Sequence, residues 1–164
     1  MTLKEKINQN FKEAFKAKEE VKVSVLRMLN AAIKNKEVEK RMKLAKEGVA
    51  EAELETQSQL QDEEIMLVIG SEVKRRKDSA EQYKQGGRPE LASREEAEIK
   101  VLENYLPKQM SEEEITKLVK EAISESGAAG TDDIGKVMKV LMPRVKGQAD
   151  GNLVNKIVKE ELNK

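Results

Sequence analysis

The sequence contains neither cysteine nor histidine. Without cysteine there are no disulfides, no thiolate zinc sites and no thiol nucleophile. Without histidine the commonest general base near neutral pH and the commonest metal ligand are missing. Aromatic residues make up 2% of the chain, too few for a surface that stacks the bases of a single strand. An excess of one charge is also absent, since 31 basic residues balance 31 acidic ones. That excludes coating of nucleic acid by bulk charge and leaves room only for a local basic patch. No apolar run reaches the length of a membrane span, and the N-terminus shows no signal-like apolar stretch. No membrane partner and a cytoplasmic location are therefore expected. The phosphate-cradling GxxxxGK[ST] loop and the dinucleotide GxGxxG pattern are both missing, so no cofactor is expected. Ser24 and Ser71 have no base beside them, and no catalytic residue is expected.

Charged residues are 38% of the 164, and the surplus is Lys and Glu, both good helix formers. Apolar residues recur at helical spacing and nowhere alternate as in a strand. Thr2 with Glu5 reads as a capping box opening a helix through Ile7, Phe11 and Ala14 to about Lys18. A second helix starts at Val21, carries Leu26, Leu29 and Ile33, and fades near Glu39 to Lys43. Residues 41–60 show no clean stripe and read as a loop or a loosely held helical excursion. Asp62 caps a long third helix that Gly86-Gly87 end. Pro89 suits the first turn of a fourth, which runs to Leu106 and stops at Pro107. Three shorter helices follow. The first has a Ser111–Glu114 capping box and ends at Gly127, the second is capped by Thr131 and broken at Pro143, and the third is capped by Asp150. The expected fold class is all-α, with an N-terminal four-helix bundle over residues 1–107 and a C-terminal three-helix bundle over 108–164.

Charge segregates near the C-terminus. From Ser111 to Asp133 there are seven acidic residues against two lysines; from Ile134 to Lys159, six basic residues against Asp150 alone. The basic residues bracket Gly147-Gln148-Ala149-Asp150-Gly151, which leads into a helix start. Free N–H groups there receive phosphate in other proteins, and glycine allows close backbone approach. Two readings compete. One is a plain turn with an Asp cap and solvated lysines; the other is a modest phosphate-binding surface of Lys136, Lys139, Arg144, Lys146, Gly147, Gly151 and Lys156. A second basic run, Lys74-Arg75-Arg76-Lys77, sits inside the third helix. Its members point in successive directions about 100° apart and read as solvated positions with acidic neighbours. Glu95, Glu96 and Glu98 read as solvent-facing carboxylates.

A wider set of residues resembles the YqeY-like (GatB/YqeY) family. It comprises Leu26-Arg27-Met28-Leu29 with Ala31 to Asn35; Lys74 to Ser79, then Tyr83; Gly87 to Ala92; Glu98-Ile99; and Tyr105-Leu106-Pro107. Toward the C-terminus it adds Gly135 to Met138, Met142-Pro143, Lys146-Gly147, Ala149-Asp150-Gly151 and Val154-Asn155. The likeness is collinear over nearly the whole chain, with residues 41–60 as the part that does not align. The resemblance implies a four-helix and a three-helix bundle, and kinship with the tail of the B subunit of glutamyl-/aspartyl-tRNA amidotransferase. That tail contacts tRNA, while the chemistry happens elsewhere. The function implied is a stand-alone tRNA-interacting module without its own catalytic centre. The alternatives are a carbon–nitrogen ligase with glutamine as amide donor, an accessory to one that partners an amidotransferase, or a helical protein–protein adaptor.

Overall fold

The computed structural model describes all 164 residues. The chain is all-α: eight helices, one 3-10 turn and no strand. It divides into two compact units, Met1–Tyr105 and Leu106–Lys164.

The first unit holds five helices, not four: α1 (Leu3–Ala17), α2 (Glu20–Lys46), α3 (Glu51–Gln57), α4 (Asp62–Gln85) and α5 (Pro89–Glu103). Its ends obey local rules. The Thr2 hydroxyl accepts the Glu5 N–H while the Glu5 carboxylate accepts the Thr2 N–H. Gly87, at φ +70°, supplies the left-handed residue behind α4, and Pro89 opens α5. Asp62 does not cap α4. The N-cap is Gln61, whose N–H is taken by Glu64, while Asp62 accepts the Leu3 N–H at 2.9 Å. Ile7, Leu26, Leu29, Ile33, Ile65, Ile69 and Leu102 are fully buried and form the centre of this unit. Tyr105 closes it, its hydroxyl accepting from Asn10 at 2.8 Å.

Residues 41–60 are a helical excursion rather than a loop, tied down at its C-terminal end. The α2 helix runs on to Lys46, and α3 follows after four residues. Leu54 and Leu60 are buried. Lys40 reaches the Gln59 carbonyl and both Glu64 oxygens, and Glu37 accepts the Leu60 N–H. A few apolar residues hold the segment because charged groups of α2 fix its backbone.

The basic run in α4 also departs from expectation at one position. Arg76 is 4% exposed. Its guanidinium donates to Glu72 at 2.6 Å and to Glu98 at 3.0 Å. Glu98 is thus a half-buried partner of Arg76 and not a solvent-facing carboxylate, whereas Glu96 pairs at the surface with Lys84. Burial pulls the Arg76 pKa down, but the hydrogen bonds to Glu72 and Glu98 outweigh it and the net shift is upward.

The second unit holds α6 (Glu112–Ser126), a 3-10 turn (Thr131–Asp133), α7 (Ile134–Val145) and α8 (Gly151–Leu162). Ile115, Val119, Ala122, Val137, Leu141, Val145, Val154, Ile157 and Val158 make one apolar cluster from the three helices. Ser111 and Glu114 form the expected capping box, and Gly127 at φ +68° ends α6. Thr131 makes no cap hydrogen bond; Asp133 instead accepts the Ala129 N–H at 3.0 Å. Pro143 does not break α7, which continues to Val145. Proline removes the bond to the Lys139 carbonyl, on the exposed side of the helix, where an unpaired carbonyl costs least. Burial of Val145 then favours two more helical residues. Residues 106–110 belong with this unit. Gln109 bridges the Pro107 and Gly147 carbonyls, and Met110 N–H bonds to Gln148.

Candidate nucleic-acid interface

Val137, Leu141 and Val145 set the buried side of α7. At about 100° per residue, Lys136, Lys139 and Pro143 fall within roughly 60° of arc on the opposite side, and Lys146 follows just past the helix end. The same apolar periodicity that buries one face therefore presents Lys136 and Lys139 on the other, with Lys146 at the C-cap. All three are exposed.

Their electrostatic states differ. Lys136 is 3.0 Å from Asp133, one helical turn earlier. Asp133 sits below the usual carboxylate range, chiefly through the Ala129 N–H and then through Lys136. Lys139 and Lys146 have no carboxylate within ion-pair distance. Exposed ammonium groups of this kind gain little from neighbours and are available to phosphate.

The other expected contacts are placed elsewhere. Arg144 turns toward α6 and donates to Glu125 at 2.6 Å, which raises its pKa. Lys156 lies on the outer side of α8, 3.9 Å from Glu160. Lys159 shares that side and has no acidic partner; the charge count contains it, but no motif singles it out. Gly147 has φ +75°, so the turn itself requires glycine there. The start of α8 at Gly151 is already served: one Asp150 oxygen accepts from Asn152 at 2.7 Å and from Leu153 at 3.2 Å. Helical spacing thus puts Lys136 and Lys139 on one side of α7 with Lys146 at its C-cap, while Arg144 is turned to Glu125 and the α8 start is capped by Asp150.

The family profile described as Yqey-like protein matches residues 4–52 and 42–162. The chain belongs to this family. The two matched segments overlap where α2 ends and the turn to α3 begins, within the stretch that shows no apolar stripe in the sequence. Over 74 residues the chain is 35% identical to the E subunit of the glutamyl-tRNA(Gln) amidotransferase from Methanobrevibacter smithii. That match covers 43% of this chain and only 12% of the relative. No helix of this family member is long and apolar enough to cross a membrane.

Proposed function

We propose that this protein is a tRNA-interacting module, without chemistry of its own, whose second unit engages the phosphate backbone through the outer face of α7. The carrying observation is the set Lys136, Lys139 and Lys146, turned away from the core, with two of the three free of any carboxylate. Lys156, Lys159 and Arg144 add further positive charge, Arg144 only after leaving Glu125. Family membership and the likeness to part of a glutamyl-tRNA(Gln) amidotransferase support the choice of tRNA among polyanions. Contacts of this type position the RNA and do not read its sequence.

Filter binding of the purified full chain to unfractionated tRNA tests this. Affinity should fall steeply as salt rises, because each phosphate contact releases counterions. Replacing Lys139 and Lys146 by Gln should lower the log–log salt slope by about one to two. Absence of binding at low salt, or a slope untouched by the double substitution, refutes the reading.

The same likeness favours one second reading, an accessory role beside a carbon–nitrogen ligase. Purified protein given glutamine, ATP and Glu-tRNA should yield no amidated product alone. Product formed without other subunits overturns the non-catalytic assignment.

A further inference from the structure

The residues that carry the family likeness in the middle of the chain take no part in the α7 face. Several of them meet in one place within the first unit. A depression of about 450 Å³ opens among α2, α4 and α5, within the size range of small-ligand sites. Arg76 and Glu98 form its floor, joined by their ion pair. Three half-buried hydroxyls line it, those of Ser24, Ser79 and Tyr83. None of the three bonds to another protein group, and each remains reachable by solvent.

Three arginines and three glutamates meet around the depression, but they are not paired one to one. Glu72 accepts from Arg75 at 2.8 Å and from Arg76 at 2.6 Å. Glu98 accepts from Arg76 at 3.0 Å and stands 3.8 Å from Arg94. Three guanidiniums therefore share two carboxylates, and Arg75 and Arg94 keep most of their five donors each. Glu95, also in the lining, makes no ion pair. The site has spare guanidinium donors, one carboxylate with no cation, unbonded hydroxyls, and an apolar wall of Met28 and Leu91. A dianion meets repulsion from Glu95, and a simple cation meets the arginines.

The geometry points to a free α-amino acid as the ligand of this pocket. Its carboxylate takes the Arg75 and Arg94 donors, its ammonium takes Glu95, and its side chain lies against Met28 and Leu91 with the hydroxyls completing polar contacts. Arginine suits the first role because its planar fork matches a carboxylate.

The test is a titration of the isotope-labelled full chain, followed by backbone amide NMR signals, with the common free amino acids, their N-acetyl forms and inorganic phosphate. At least one free amino acid should shift the Ser79, Tyr83 and Glu95 signals saturably below about 20 mM, within the millimolar range of weak small-ligand sites. Its N-acetyl form should bind about tenfold more weakly, since Glu95 loses a charged donor. The R75Q/R94Q variant changes two exposed side chains and keeps the buried Arg76. It should retain the wild-type spectrum elsewhere and lose about tenfold or more in affinity. No saturable shift with any amino acid overturns the inference. So does equal binding of the acetylated form, an equal response to phosphate, or unchanged binding by R75Q/R94Q.

Discussion

Replacing Arg76 by Met leaves two carboxylates in a place where the fold supplies them with a buried cation. The Glu72 and Glu98 side chains are 12% and 14% exposed, so water replaces little of what the guanidinium gives. An unpaired buried charged group costs about 1–3 kcal/mol or more. Glu72 keeps Arg75 at 2.8 Å and sits at the low end of that range. Glu98 is 14% exposed and keeps Arg94 at 3.8 Å, so it sits near the middle, at about 2 kcal/mol. The expected loss is about 3 kcal/mol, at the low end of the roughly 3–5 kcal/mol typical when a fully buried pair is broken. In urea, with a slope of about 1.5 kcal/mol per molar, the midpoint of the first unit should fall by about 2 M. R76M/E72M/E98M removes the stranded charges and should recover to within about 1 kcal/mol of the parent, because hydrophobic residues of similar volume in place of a buried ion network are often close to neutral. If R76M costs under about 1 kcal/mol, or if the triple variant is as unstable as the single one, uncompensated charge is not what makes Arg76 matter.

Two other outcomes follow from the fold. The carboxylates with resolved shifts are all lowered: Glu5 mainly by the Thr2 N–H, Glu64 by the Lys40 hydrogen bond, Glu96 by Lys84, Glu114 by the Ser111 N–H, Asp133 by the Ala129 N–H and Glu161 by Lys164. Such groups bind fewer protons folded than unfolded. Their stabilisation is whole above the ordinary carboxylate range and is lost as pH falls through it, below about pH 5. With no histidine, urea midpoints should be flat between about pH 6 and pH 8; a marked change there, or a gain on acidification, contradicts this. Leu54→Ala should cost the first unit about 2–3 kcal/mol and open the segment between Glu47 and Gln59 to proteolysis, whereas a loosely held excursion predicts less than about 0.5 kcal/mol.

What the sequence makes legible here is what is local. The two capping boxes, the Asp150 cap, Pro89 and the left-handed glycines at 87 and 127 each depend on residues no more than four apart. The lysine face of α7 is legible for the same reason, as the complement of an apolar period. Arg76 is not, because its charge looks like that of its neighbours and its second partner stands 22 residues away. The α3 region depends on Glu37 and Lys40, distant in sequence, and so resembles a weak stripe when read alone. Pro143 misleads because the proline rule counts a lost hydrogen bond and not the burial of Val145 beyond it. Arg144 reads as one more free cation until Glu125, 19 residues before it, is placed against it.

The Asp150 cap also bears on what kind of anion the proposed interface would accept. A carboxylate tethered one residue from the helix start competes with any incoming anion at an effective concentration far above that of free phosphate. A small phosphate ester therefore has no access to those N–H groups on affinity alone. The lysines of α7 carry no such built-in competitor, but each offers a single exposed charge worth little by itself. Occupancy then depends on presenting several phosphates at once along a connected chain. If the proposed function holds, the second unit should ignore mononucleotides and respond to polymer length, which binding titrations with AMP and with RNA oligomers of increasing length would read.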